Sequence, residues 1–226
     1  MGKAIVLLSG GQDSTTCLFW ALKNFNEVEA IGFNYGQKHA KELDCAKLIA
    51  ERANVPFEVI NLEGVLGGSS LVDHQQDVNS AHHINAALPS SFTAGRNMVF
   101  LAVAAGLAYN RKAMHIVTGI CQTDYSGYPD CRENFRAAMQ VAASLALDSD
   151  IVVHAPLMWL TKAETWKLAA ELSTPENNVV EIVRSFTLTD YNGNMQQNEW
   201  GMGELNNPAS ELRAKGYFEA KELGWI

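Results

Sequence analysis

A glycine-rich loop that carries an acid and hydroxyl side chains follows the first apolar run of the chain. The loop comprises Ser9, Gly10, Gly11, Gln12, Asp13 and Ser14. Glycines let the backbone approach phosphate oxygens, and the start of a helix offers unpaired N–H groups with a partial positive charge. The loop lacks the Gly-Lys-Ser/Thr ending of a Walker A loop and the Gly-x-Gly-x-x-Gly spacing of dinucleotide folds. The sequence therefore predicts a phosphate site of another kind, with a glycine turn capped by Ser14 as the structural alternative.

Three further segments, 92–97, 119–132 and 156–165, contain charged, amide and aromatic side chains. They fall in a long loop or directly after predicted strands, and open α/β sheets bind ligands at the carboxyl ends of their strands. A small anionic substrate needs local positive groups, and Arg96, Lys162 and the loop amides are the candidates. The alternatives are a surface ion pair for Arg96 and a solvated charge for Lys162.

Alternating strand-like and helix-like segments must position these groups. Strands are predicted at 3–6, 28–34, 57–60, 115–119 and 151–154. Helices are predicted at 17–22, 39–54, 98–109, 134–147 and 163–172, with a short helical end at 219–223. This order predicts an α/β fold with an open, mostly parallel twisted sheet and helices on both faces. The stretch 63–94 breaks the pattern and is predicted to be a long mobile loop, and the chain beyond 173 is expected to be irregular.

Composition and charge restrict the class of protein. The 226 residues suit one α/β domain with a small appendage, and the formal charge of −8 argues against a large nucleic-acid surface. No apolar run approaches the roughly 20 residues needed to cross a bilayer. The four cysteines are far apart in the sequence, no signal peptide is recognised, and the six histidines show no metal-ligand spacing. We therefore expect a reduced, cytoplasmic protein without direct contacts to nucleic acid or membrane.

The loop and three other segments together resemble the 7-cyano-7-deazaguanine synthase family of the PP-loop ATP pyrophosphatases. The matching segments, in order and spacing, are 9–18, 95–97, 123–132 and 156–166. The resemblance implies the adenine nucleotide alpha hydrolase-like fold and an ATP-dependent carbon–nitrogen ligase. Such an enzyme adenylates 7-carboxy-7-deazaguanine and reacts it with ammonia to give the amide and then the nitrile, a queuosine precursor. AMP and pyrophosphate are released.

The resemblance also implies which residues act. Catalytic roles fall to Asp13, Ser14, Arg96 and Lys162. The implied ATP contacts are Leu8, Ser9, Gly10, Gly11, Gln12, Asp13, Ser14, Thr15, Thr16, Cys17 and Leu18. The implied substrate contacts are Tyr35, Gln37, Arg96, Asn97, Asp124, Tyr125, Tyr128 and Asp130. Asp13 would hold Mg²⁺ on ATP or orient the loop. Asp130 would accept hydrogen bonds from a guanine-like base, or it serves instead as a helix N-cap.

The C-terminal segment departs from the family pattern. Family members carry a zinc knuckle of four cysteines around Tyr-Asn-Gly and Leu-Arg-x-x-Gly, and these positions here are Asp190, Glu204, Asn207 and Ser210. Two acids, an amide and a hydroxyl are a poor ligand set for Zn²⁺, which prefers thiolates. We therefore predict no bound zinc and a segment held by packing of Trp200, Met202, Leu205 and Leu212. The expected domains are a PP-loop ATP pyrophosphatase domain at 1–186 and this segment at 187–226.

Three hypotheses follow from this departure. The first is a complete nitrile synthase whose knuckle was only structural. The second is a variant that stops at 7-amido-7-deazaguanine, for example in a pathway of viral DNA modification. The third is a non-catalytic nucleotide-binding or partner-binding protein, which the intact loop argues against. The partners implied are the small-molecule substrate and ammonia, and a homodimer is an open possibility.

Overall fold

The computed structural model describes residues 2–37, 41–72, 82, 84–85, 88–123, 128–190 and 192–226. The predicted substrate contacts Asp124 and Tyr125 lie outside the described residues. Parts of the predicted loop 63–94 and the first two residues of the predicted helix 39–54 lie outside them as well. The other site residues named above lie within them.

Five parallel strands form the central sheet in the order β3-β2-β1-β4-β5. The strands are β1 (Lys3–Leu7), β2 (Glu27–Asn34), β3 (Phe57–Asn61), β4 (His115–Val117) and β5 (Val152–His154). At the centre, Ala4 of β1 is paired with Val28 on one side and with His115 on the other. From β1 the chain adds β2 and β3 on one side, and it then crosses to the other side of β1 to add β4 and β5. This reversal leaves a crevice at the carboxyl end of β1. The predicted parallel sheet is confirmed.

Seven α-helices in the described residues surround this sheet. They are α1 (Gln12–Asn24), α2 (Lys41–Arg52), α3 (Arg96–Asn110), α4 (Glu133–Leu147), α5 (Lys162–Glu171), α6 (Val179–Phe186) and α7 (Pro208–Glu222). A short 3-10 helix, Pro129–Cys131, precedes α4, and a hairpin of β6 (Gln197–Asn198) and β7 (Gly201–Met202) precedes α7. Within the described part of the chain, no helix is long and apolar enough to cross a membrane.

The side chains of β1 alternate between two apolar layers, because successive residues of a strand point to opposite faces. Ala4 and Val6 pack in the larger cluster with α1, α2, α5, α6 and α7. Ile5 packs in the second cluster, to which α3 and α4 contribute. All three side chains are fully buried. The sheet therefore has helices on both faces, as predicted.

The expectation of an irregular chain beyond 173 is wrong. Helix α6 lies in this region, and α7 begins at Pro208 rather than near 219. α6 is short, so its three buried apolar residues define too few turns to give a clear hydrophobic period. The buried side of α7 combines small residues with a polar serine, Arg213 and Tyr217, a mixture that carries little hydrophobic periodicity. A Cβ on its Gly216 would lie 2.5 Å from the Cβ of Lys162, so α7 and α5 approach each other closely.

Candidate active site

A cavity of about 700 Å³ opens at the carboxyl ends of β1 and β2 and beside the chain that follows β4. Its wall is built from the glycine-rich loop and from the starts of α2, α3 and α5. The site residues predicted from sequence that lie on this wall are Leu8, Ser9, Gly11, Gln12, Asp13, Ser14, Tyr35, Gln37, Arg96, Asn97, Tyr128 and Lys162. Doubly wound sheets bind ligands at this position, where the chain leaves neighbouring strands in opposite directions.

The glycine-rich loop presents the start of α1 to the cavity. Gly10 has φ +88°, and a Cβ there would lie 2.1 Å from the backbone oxygen of Glu42, so only glycine fits. Gly11 is the N-cap of α1 and offers no side chain to the N–H groups of the first turn. The Ser14 hydroxyl accepts from the Ser9 N–H and donates to the Gly11 carbonyl, both at 3.2 Å, so it closes the glycine turn as the structural alternative predicted and leaves α1 without a side-chain cap. This arrangement suits a bound anion.

Asp13 and Lys162 form an ion pair on the cavity wall, with Lys162 Nζ 2.6 Å from Asp13 Oδ2. A capping box between Thr161 and Glu164 fixes the start of α5 and with it Lys162. The other carboxylate oxygen, Asp13 Oδ1, is buried without a hydrogen-bond partner among the described residues. Such an oxygen fits a hard cation, for example Mg²⁺. Since no group of three or more acidic, histidine or cysteine side chains in the described ranges could hold a metal, a cation here would need phosphate ligands as well.

The start of α3 brings Arg96 and Asn97 to the opposite wall. The Asn97 N–H donates to Asp130 Oδ2 at 3.0 Å, and the Asn97 side-chain amide donates to the Asp130 carbonyl at 3.1 Å. Asp130 is buried and does not line the cavity. Its carboxylate satisfies the start of α3 and thereby positions Asn97. This geometry favours the helix-capping alternative for Asp130, although the helix that it caps is α3 rather than the one that follows it.

Aromatic side chains form a third part of the wall. Phe100 stacks on Phe33 with ring centroids 4.2 Å apart, and Tyr35 contacts the same ring. The Tyr128 hydroxyl lies 2.6 Å from Ser91 Oγ, which fixes its ring. Gln37 accepts from the Tyr35 N–H at 2.9 Å and donates to the Phe33 carbonyl at 3.1 Å, so its amide shapes the turn after β2. These rings give this part of the wall an aromatic, apolar character.

Five implied ATP contacts do not line the cavity: Gly10, which packs against Glu42, and four residues of α1. The four are Thr15, Thr16, Cys17 and Leu18, and each is fully buried. The Thr16 hydroxyl donates to the Gln12 carbonyl, and Cys17 Sγ lies 3.6 Å from the Thr118 carbonyl. Burial raises the pKa of the Cys17 thiol well above its ordinary value, so this side chain stays protonated. These residues pack α1 against the sheet and do not line the cavity.

Glu42 is a wall residue that the sequence argument did not identify. It lies in the first turn of α2, and burial raises the pKa of its carboxyl group to about 7 while the nearby Arg96 opposes this rise. In the sequence, Glu42 is an acidic residue that follows shortly after the loop 35–37, and this loop comes directly after the second strand. An acid in the first turn of a helix is so common that it carried no weight.

The C-terminal segment reaches the glycine-rich loop directly. The Leu188 N–H donates to the Gly10 carbonyl at 3.0 Å. Next to it, Thr189 Oγ1 accepts from Arg213 at 3.0 Å. Arg213 is fully buried and also donates to three backbone carbonyls, at 2.8 to 3.3 Å, of Val183, Thr187 and Trp200. The buried Arg213 thus holds the segment 187–189, which in turn bonds to the glycine-rich loop.

The four positions that the family uses for cysteines adjoin one another in a hydrogen-bonded network. Asp190 Oδ2 accepts from the Glu204 N–H at 2.8 Å and from the Ser210 hydroxyl at 3.2 Å. The Asn207 amide donates to Ser210 Oγ at 3.1 Å. The Glu204 carboxylate points elsewhere and accepts from two exposed asparagines. These oxygen and amide groups are poor ligands for Zn²⁺.

Packing adds to this network, although not through every residue expected. Trp200 and Met202 are buried, and Leu212 lies on the cavity wall. Leu205 is 58% exposed, so the prediction that it packs is wrong. It lies in the short loop before α7, whose start is capped by Asn207, and it points to solvent.

Sequence comparison decides the family. A family profile described as queuosine biosynthesis protein QueC matches residues 3–221. The chain belongs to this family. The QueC-family chain is also 46% identical over 224 residues to the 7-cyano-7-deazaguanine synthase of Staphylococcus haemolyticus (strain JCSC1435), a match that covers 97% of this chain and 95% of that relative. The chain is therefore an enzyme of the ligase type, as the resemblance implied.

Two solved structures are more distantly similar to the QueC-family chain. One is a crystal structure of a 4-thiouridine synthetase–RNA complex with bound ATP, at 16% identity and a TM-score of 0.48, covering 99% of this chain and 51% of that chain. The other is a predicted subunit of a tRNA methyltransferase from Methanocaldococcus jannaschii, at 18% identity and a TM-score of 0.49, covering 76% of this chain and 75% of that chain. This chain thus spans about half the length of the first structure.

Proposed function

We propose that the protein is a 7-cyano-7-deazaguanine synthase. It adenylates the carboxylate of 7-carboxy-7-deazaguanine with ATP, couples it to ammonia, and then activates and dehydrates the amide to the nitrile. One observation carries this proposal. In this QueC-family chain, the glycine-rich loop, the Asp13–Lys162 pair, Arg96 and the aromatic side chains all line one cavity.

The loop side of the cavity would bind the triphosphate of ATP. The N–H groups at the start of α1 and Lys162 are donors fixed before the ligand arrives, so they stabilise charge that develops on the leaving pyrophosphate. The Gln12 amide is buried with no partner among the described residues, which leaves it available to a ligand. Asp13 would hold Mg²⁺, and this ion, when bound, supplies further charge neutralisation at the phosphates.

The opposite side would bind the deazaguanine. Arg96 offers a positive charge to the carboxylate, and Asn97 is positioned beside it by Asp130. Tyr35, Phe100 and Tyr128 offer ring faces to the flat heterocycle. The acid would thus be held with its carboxylate toward the loop, where the α-phosphate of ATP has to be attacked.

The nitrile requires a second adenylation, because an amide is a poor substrate for direct dehydration. The same loop would serve both activations, provided that the amide stays in the cavity while AMP and pyrophosphate leave. An enzyme that releases the amide early would stop at 7-amido-7-deazaguanine. The aromatic wall supports retention, since stacking holds the ring independently of the group at position 7.

Mass spectrometry of the products tests the proposal. The purified protein is incubated with the acid, ATP, Mg²⁺ and ammonium, and a second reaction starts from the amide. We expect the nitrile from both, with AMP and pyrophosphate rather than ADP and phosphate. Asp13→Asn removes most of the activity, whereas Asp44→Asn, at an exposed position of α2, leaves it unchanged. Amide as the only product would identify the shorter reaction, and consumption of neither compound would refute both.

A further inference from the structure

We propose that Glu42 is the general base of this site, which takes the proton from nitrogen when ammonia is coupled and again when the amide is dehydrated. This inference rests on the proposed function and assigns a catalytic residue to it. It starts from the place of Glu42 in the cavity.

The backbone fixes Glu42 against the phosphate loop. Its carbonyl oxygen occupies the space that a Cβ on Gly10 would need, at 2.1 Å, so the first turn of α2 and the loop pack directly on each other. Glu42 lines the same cavity as Asp13, Lys162 and Arg96. A carboxyl group at this position lies in the same cavity as the groups proposed to bind the triphosphate and the substrate carboxylate.

Among the acidic residues that line the described wall, Glu42 is the one whose carboxyl group is not held in an ion pair. The acids among the described wall residues are Asp13 and Glu42, and Asp13 is paired with Lys162. No hydrogen bond or ion pair to the Glu42 carboxyl group occurs within the described part of the chain, although Arg96 acts on it electrostatically. A carboxylate in a cavity without a hydrogen-bond donor can accept a proton from a ligand.

The surroundings of Glu42 shift the pKa of its carboxyl group into a range that suits a general base. Burial raises the pKa of its carboxyl group to about 7, against the opposing charge of Arg96 on α3. The other titratable groups that interact with it are Tyr35 at the end of β2 and Cys45 on its own helix, both of which stay neutral because burial raises the pKa of each. Further along the wall are Asp13, Lys162, Tyr128, Cys121 and Cys131. A base is most effective when its pKa lies near the working pH.

Both nitrogen steps release a proton that needs an acceptor. In the first step, ammonia forms a C–N bond to the carbonyl carbon of the acyl adenylate. The C–O bond to AMP breaks, its electron pair leaves with AMP, and the Glu42 carboxylate takes one proton from nitrogen. In the second step, the O-adenylated amide, R–C(=NH2+)–O–AMP, first loses one nitrogen proton to water. Glu42 takes the remaining N–H proton as the C≡N bond forms, and the C–O bond to AMP breaks with its electron pair leaving on AMP. Between the two steps, Glu42 returns its proton to water.

The competing role for Glu42 is recognition of the heterocycle, in which its carboxylate accepts hydrogen bonds from ring N–H groups. The two roles affect different steps. A base for nitrogen is not needed for adenylation, which involves the carboxylate of the acid and ATP alone. A residue that recognises the ring is needed for every step. Pyrophosphate exchange into ATP, measured with the acid and without ammonia, therefore separates the two roles.

The experiment compares Glu42→Gln with the wild type and with Glu51→Gln, an exposed position on the same helix. We expect Glu42→Gln to keep pyrophosphate exchange within about 2-fold of the wild type while amide formation falls by roughly 10²- to 10⁴-fold. At a fixed concentration of free ammonia, the wild-type rate of amide formation should rise with pH through the region near 7, and this limb should be absent in Glu42→Gln. Glu51→Gln should match the wild type in both assays.

Glu42→Asp serves as the second variant, because it keeps a carboxyl group and should retain the pH-dependent limb at a reduced rate. Thermal unfolding of each variant checks that it is folded. An equal loss of exchange and amide formation in Glu42→Gln would overturn the proposal in favour of ring recognition. An unchanged rate of amide formation would overturn it as well. If the wild type shows no exchange with the acid, the proposed function itself fails.

Discussion

Lys162 Nζ lies 2.6 Å from Asp13 Oδ2, and this ion pair joins the first helix of the chain to α5. The Lys162 side chain is 10% exposed and that of Asp13 is 27% exposed. Both residues line the cavity, so the positive charge is already in place before an anion arrives. Its partner carboxylate keeps one oxygen unpaired within the described residues.

Replacement of Lys162 by Met should slow adenylation by roughly 100- to 1000-fold, because one fixed donor to the leaving pyrophosphate is lost. The measurement is pyrophosphate exchange into ATP in the presence of the acid. Lys167→Met is the matched control, since Lys167 is an exposed residue of the same helix that pairs with Glu171. A Lys162→Met enzyme as active as this control would remove Lys162 from the phosphate site.

Replacement of Arg213 by Met should lower the free energy of unfolding by about 3 kcal/mol, since four acceptors lose their donor inside the protein. Urea unfolding measures the effect. Lys215→Met on the exposed side of α7 should change it by less than about 0.5 kcal/mol. Similar values for the two variants would mean that the buried guanidinium adds nothing to the stability of the folded state.

The protein should purify with much less than one zinc per chain, and chelators should leave its melting temperature unchanged. The reason is chemical, because the positions that carry cysteines in the family present oxygen and amide groups here. Elemental analysis and thermal unfolding with and without EDTA are the measurements. One tightly held zinc per chain would contradict the prediction.

Replacement of Asp190 by Ala should cost about 2 to 4 kcal/mol, because its carboxylate accepts from the N–H groups of Asn192 and Glu204 and from the Ser210 hydroxyl. Glu204→Ala is the control, because within the described residues that exposed carboxylate accepts only from Asn194 and Asn206. Its loss should lower the free energy of unfolding by less than about 1 kcal/mol. Urea unfolding of both variants decides whether the network holds the segment. Equal effects would mean that packing alone does so.

The protein should lose stability as the pH falls below about 6.5. His115 Nδ1 and His154 Nε2 are 3.1 Å apart, and burial lowers the pKa of both side chains. The unfolded chain therefore binds protons before the folded one does, so the contribution to stability is complete above the unfolded pKa and is lost as pH falls through the folded pKa. Melting temperatures from pH 8 to pH 5 measure this loss. His154→Gln should flatten the profile, and an unchanged profile would exclude the histidine pair as its cause.

Much of the fold and of the site was predictable because its signals are local. The glycine-rich loop, the helix starts at Arg96 and Lys162 and the alternation of strands and helices each occupy a short stretch of sequence. The contacts that were not predictable join distant segments. The Leu188 N–H reaches the Gly10 carbonyl, and Asp130 caps a helix that precedes it.

Glu42 was not predictable for a related reason. Its chemistry depends on burial in the cavity and on Arg96, and neither is visible from an acid in the first turn of a helix. Leu205 illustrates the converse, since an apolar residue type does not determine burial in a short loop. Composition and spacing thus identify which groups are present, while tertiary contacts determine what each one does.

The hydrogen bond from Leu188 to Gly10 has a consequence for the order in which the protein is made. The glycine-rich loop leaves the ribosome long before its support from Leu188, Thr189 and Arg213 is synthesised. A partly synthesised chain therefore carries an unsupported loop. The proposed ATP site becomes complete only when the C-terminal segment has folded back onto the sheet. A chain that lacks this segment should therefore be unable to carry out the proposed reaction.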